Sequence, residues 1–141
     1  MSKRIRKRGF MVRAQVGPGW PYQEQALFMR RWEDYLAERE LFWSGALGAS
    51  VVWAEDRDLE PADQVDLLLW LLDQPLVRSV SLSQLDERID EPETLRALPV
   101  VHARFGDLTV IPLVWLYQAR RIDARQFIEI LGGHTCAAQV H

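Results

Sequence analysis

The sequence predicts an α+β fold with the order βαββαβ: a ferredoxin-like antiparallel sheet with two helices on one face, plus a C-terminal hairpin and helical extension. Three observations carry this expectation. Phe10 to Val16 alternates Phe10, Val12, Ala14 and Val16 against Met11, Arg13 and Gln15, the period of a half-buried strand. Phe28, Trp32, Tyr35 and Leu36 share one face of a helix, with charged residues on the others. Val77 to Leu82, VRSVSL, alternates again after a second helical pattern, so two strand-like runs bracket the helices. Right-handed crossovers then place both helices on the same side of an antiparallel sheet.

Each element has its own local signals. Gly17-Pro18-Gly19 ends the first strand, and the first helix is expected from about Gln23 to Glu40. Trp20 and Tyr22, between them, are expected to plug the core. Leu41 to Trp43 and the β-branched, aromatic run Ala49 to Ala54 form a hairpin around Ser44-Gly45 and Gly48. Glu55-Asp56-Arg57-Asp58 is a solvated turn. It lacks the glycine and the closing bidentate Glu of a calcium loop. Pro61 suits the first helical position. Val65, Leu68, Leu69 and Leu72 mark the second helix face, and Leu67, Trp70 and Leu71 widen it. A helix this apolar is buried on more than one side, and the extension is expected to cover the second. Trp32 and Leu69 are the expected core residues of the helix layer.

The chain divides into a basic tail (1–9), the βαββαβ domain (10–88) and an extension (89–141) packed on it. Residues 86–97, polar with a central Pro92, are a linker or a short capping turn. Val100 to Phe105 and Leu108 to Ile111 form a hairpin about Gly106-Asp107, and Pro112 opens a helix; alternatively Asp107 caps a helix that starts at Leu108. Asp123 caps a last short helix, Ala124 to Leu131, which Gly132-Gly133 stops.

Charge is unevenly spread. The formal net charge of the 141 residues is −3, yet Lys3, Arg4, Arg6, Lys7 and Arg8 place +5 in the first eight, leaving −8 for the rest. A basic run on an acidic body suits an anionic partner reached by the run. The single cysteine, Cys136, excludes an internal disulfide framework and fits a reducing compartment. No apolar run approaches the roughly 20 residues that span a bilayer. Arg13 and Gln15 interrupt any leader-like apolar core, so a cytoplasmic protein without a membrane anchor is expected.

Catalytic and cofactor motifs are missing. There is no phosphate-cradling GxxxxGK[ST], no GxGxxG and no GxSxG. His134 and Cys136 offer two metal-ligand types close together, with His141 nearby, but a zinc site wants four ligands and nothing else in the chain has paired Cys or His spacing, so a flexible terminus is preferred to a metal. His102 lies in an expected strand and has no evident catalytic partner. No enzyme activity, cofactor or metal is expected.

The chain resembles the YggL family, small bacterial proteins that bind the large ribosomal subunit. The likeness rests on Lys3-Arg4-Ile5-Arg6-Lys7-Arg8, the strand start Phe10-Met11-Val12, and Leu36-Ala37-Glu38 followed by Leu41-Phe42-Trp43-Ser44-Gly45. It continues through the helix Gln64 to Leu72 and the run from Val77 to Asp86, covering residues 1 to about 88. Glu87-Arg88 stand where the family ends in paired tryptophans. The resemblance implies association with the large ribosomal subunit or other RNA. Lys3, Arg4, Arg6, Lys7, Arg8 and, on the adjoining strand, Arg13 are the expected nucleic-acid contacts. The competing expectation is a protein-interaction or inhibitor module that uses the acidic body and the extension.

Overall fold

The computed structural model describes residues 8–46, 48–87, 89, 101–104 and 108–139. Their elements run β1 (Gly9–Val16), α1 (Tyr22–Glu38), β2 (Leu41–Ala46), β3 (Ala49–Ala54), α2 (Pro61–Leu72), β4 (Val77–Leu82), β5 (Val101–Arg104), α3 (Val110–Gln118) and α4 (Ala124–Gln139). The five strands form one antiparallel sheet in the order β2-β3-β1-β4-β5. The protein is therefore a mixed α+β fold with four helices among the described residues.

Central β1 explains why the alternation of residues 10–16 is so regular. Phe10, Val12 and Ala14 point to the helices, joined there by Val52 of β3, Val80 and Leu82 of β4 and Ala103 of β5. Buried side chains of all four helices join the same core, α1 through Phe28, Trp32 and Leu36, α2 through Val65, Leu67, Leu68 and Leu71. On the opposite face, among the described residues, Met11 and Val51 form a small apolar cluster with Trp53 and Ile89 against it. Ile89 reaches that face because Asp86 pairs with the start of β1. Gly9 N–H donates to Asp86 O and Asp86 N–H to Gly9 O, both at 2.9 Å. A Cβ at Gly9 would lie 2.5 Å from Val52 O and 2.6 Å from the Ile89 side chain, so the close approach requires glycine.

The helix starts follow their sequence signals. At α2 the Asp63 carboxylate accepts from Glu60 N–H at 2.8 Å and forms a bidentate pair with Arg57 at 2.9 Å. At α4 Asp123 accepts from Gln126 N–H while Gln126 Oε1 accepts from Asp123 N–H, each at 2.8 Å.

Several expectations are corrected. The C-terminal hairpin does not form. Residues 101–104 pair with β4 and extend the main sheet, whereas Leu108 and Thr109 are a turn and Val110 begins a helix. The β-branched run there is overruled by burial of Val110 and Leu113, one helical turn apart. Pro112 is tolerated because the first-turn N–H it lacks has no intrahelical partner anyway. Asp107, the alternative cap, lies outside the described residues. Gly132-Gly133 does not end the last helix, which continues to Gln139. Two helical glycines cost about 1 kcal/mol each, and Phe127 and Leu131, both fully buried, anchor the preceding turns. Tyr22 is solvent-exposed, and only Trp20 packs against the core. Leu69 is half-buried. Val65, Leu67, Leu68 and Leu71 are fully buried, and α2 packs against both β4 and α4.

Candidate nucleic-acid interface

Of the six basic residues expected to meet RNA, Lys3, Arg4, Arg6 and Lys7 lie outside the described residues. Arg8 and Arg13 are placed, and the strand period separates them. Arg13 shares its face with Met11 and Gln15. It is exposed and stands opposite Ser81 of β4. Arg8 precedes β1 on the helix side. It is half-buried, and its Nη2 donates to Leu59 O at 2.9 Å. One N–H of Arg8 thus ties the beginning of β1 to the β3–α2 loop.

The corner at which the run joins the sheet has aromatic neighbours. Gly9 faces Trp53 across the β1–β3 ladder, and Trp53 faces Phe42 across the β3–β2 ladder. The Phe42 and Trp53 rings stack, with centroids 6.3 Å apart and planes at 23°. Trp53 Nε1–H donates to Glu55 Oε1 at 3.1 Å, which fixes the indole. Phe42 lies on edge strand β2 and is 47% exposed. Gly45, at φ +106°, shapes the turn that sets this register; a side chain there would meet Ala49 O. Towards β4 the same face becomes polar, with Ser79 Oγ donating to Gln15 Oε1 at 3.0 Å.

Sequence reasoning passed over Phe42 and Trp53 as strand apolars. The signal was present: Leu41 and Trp43 turn inward, as do Val52 and Ala54, which forces Phe42 and Trp53 outward together.

A second feature lies at the far edge of the helix layer. A cleft of about 750 Å³ opens between α1, α2 and α3, lined by Tyr35, Arg39, Leu69, Trp70 and Trp115 among others. The Arg39 guanidinium sits 4.0 Å over the Tyr35 ring. Burial pushes the Tyr35 phenol up to about 12, although Arg39 pulls it down. Tyr117 is likewise raised to about 12, first by desolvation and then by its 3.0 Å hydrogen bond to Asp66. Neither phenol is activated as a base or nucleophile. Among the described residues no group of three or more His, Cys, Asp or Glu is placed to hold a metal ion. No helix among them is long and apolar enough to cross a membrane. The side chains of His134 and Cys136 lie outside the described residues.

No protein-family model matches the chain, and no curated protein or solved structure matches it significantly.

Proposed function

We propose that this is a cytoplasmic, non-enzymatic binding protein that associates with RNA of the large ribosomal subunit. Its handle is the run Lys3, Arg4, Arg6, Lys7 and Arg8, with Arg13 on the adjoining strand. The observation that carries the reading is the place where the run begins. Arg8 is tied to Leu59 and Gly9 to Asp86, so the run leaves the sheet at a fixed corner, beside the stacked Phe42–Trp53 pair. Five cations there follow a phosphate backbone even though the −8 body is repelled by it. The resemblance to the YggL family selects the ribosome among polyanions. The order β2-β3-β1-β4 supports reading the first four strands as ferredoxin-like, with β5 added at the edge.

The test is co-sedimentation of tagged protein with ribosomal subunits at low and moderate salt. Lys3, Arg4, Arg6 and Lys7 are changed together to Ser, and Arg8 is kept because its bond to Leu59 supports the fold. Loss of most co-sedimentation with an unchanged melting curve is the expected result. A wild-type protein that never sediments with ribosomes at low salt refutes the reading.

A protein partner is the second reading, favoured by α3. Trp115, 71% exposed, and Ile111, 42% exposed, both line the cleft. Large apolar side chains grouped this way mark interaction surfaces. Binding through them would resist salt, whereas binding through the run would not.

A further inference from the structure

We infer that the outward ring of Phe42, backed by Trp53, is a stacking platform for an unpaired base, so that the RNA taken at this face is single-stranded. The inference rests on the RNA reading above and names the form of RNA and the residue that meets it.

Three observations converge. First, Phe42 is on an edge strand and half its surface is open, while its inner side is occupied by the Trp53 ring. A third ring can therefore add only on the outside, continuing the stack. Second, the backing is rigid. Trp53 is half-buried, packs against Met11 and Val51, and is held by Glu55. A base landing on Phe42 meets a surface that loses little freedom on binding. Third, Trp53 is the cross-strand neighbour of Gly9, the residue that follows the five cations of residues 3–8 in the sequence. Charge complementarity thus selects a polyanion as the occupant of an aromatic patch that would otherwise be unremarkable. The platform offers an uncharged π-face, while phosphate neutralisation falls to the run and to Arg13. In a duplex the bases are stacked on one another and their faces are closed to protein, so this arrangement requires unpaired nucleotides.

The experiment uses the full chain, a 12-nucleotide uridine oligomer and an RNA duplex of equal length, with binding followed by fluorescence anisotropy across a salt series. Three variants are compared: Phe42→Leu, which keeps apolar bulk without the ring, Phe42→Tyr, which keeps the ring, and the four-residue Ser variant of the run. Far-UV circular dichroism melts show whether each is folded. The wild type should prefer the single strand, with a log–log salt slope of about 3.5 for five phosphate contacts. Phe42→Leu should bind the single strand about ten-fold or more weakly with the same salt slope, and Phe42→Tyr should bind as the wild type does. The run variant should flatten the slope instead. Single-strand affinity unchanged in Phe42→Leu, or equal affinity for duplex, overturns the platform while leaving run-driven RNA binding standing. Absence of binding to either RNA at low salt overturns both.

Discussion

Trp32 offers the sharpest test of how the helix layer is held. It is fully buried, meets Trp43 edge-to-face at 5.9 Å and Trp70 at 6.1 Å, and its indole Nε1–H has no hydrogen-bond partner among the described residues. Two opposing effects are therefore combined in one residue. Trp32→Ala removes the whole ring system and should cost about 3–5 kcal/mol. At a urea m-value of about 2 kcal/mol/M the midpoint falls by roughly 2 M. Trp32→Phe keeps a ring but loses about two buried carbons, roughly 1.6 kcal/mol at about 0.8 each. It also removes the unpaired N–H, whose desolvation costs about 1–3 kcal/mol. The two nearly cancel, so Trp32→Phe should lie within about 1 kcal/mol of wild type. Urea unfolding followed by circular dichroism measures both, because the six tryptophans make fluorescence hard to assign. A Trp32→Phe protein destabilised by more than about 3 kcal/mol would mean that the indole N–H is satisfied and that the reasoning is wrong.

Two further outcomes are expected. Ser83 joins β1 to α2: its Oγ accepts from Met11 N–H at 2.7 Å, and its carbonyl accepts from Gln64 Nε2 at 2.9 Å. Ser83→Ala strands the buried Met11 amide and should cost about 1–3 kcal/mol, with hydrogen exchange at Met11 accelerated; an unchanged midpoint would show that the amide finds water. Two of the three tyrosines, Tyr35 and Tyr117, are raised to about 12 from an ordinary value of 10.0. Folding therefore favours their neutral forms, which adds stability below pH 10 that is lost as pH rises towards 12. Tyrosinate absorbance should show two groups titrating late, and alkaline unfolding should fall in that window; earlier titration of both phenols would contradict their placement.

The fold was largely legible where periodicity and packing agree. β1 is central and buried on the helix side, so residues 10–16 carry an unmistakable period of two, and α1 shows one clean apolar face. Legibility failed where local preference and tertiary packing diverge. Val110 and Ile111 have strand-like side chains, yet the space beside α4 takes Val110 and Leu113 from a helix. Gly132-Gly133 carries a stop signal that the helix overrides. In α2 nearly every position is apolar, so composition could not separate Leu68, which is fully buried, from Leu69, which lines a cleft.

The candidate site was legible by halves. A run of five cations is a sequence feature and needs no fold. The platform depends on register, because a one-residue slip in β2 or β3 would turn Phe42 and Trp53 into the core and bring Trp43 and Val52 outward. Burial of Leu41, Val52 and Ala54 favours the observed pairing, and Gly45 takes the positive φ near the end of β2. The same pairing places Trp53 against Gly9 and so brings the platform to the root of the basic run. Arg8 shows why the two halves must be tested separately. By charge it belongs to the run, and by its bond to Leu59 it belongs to the fold. A variant that removes it mixes a binding effect with a structural one, whereas Lys3, Arg4, Arg6 and Lys7 can be changed while the described bonds at that corner are left in place.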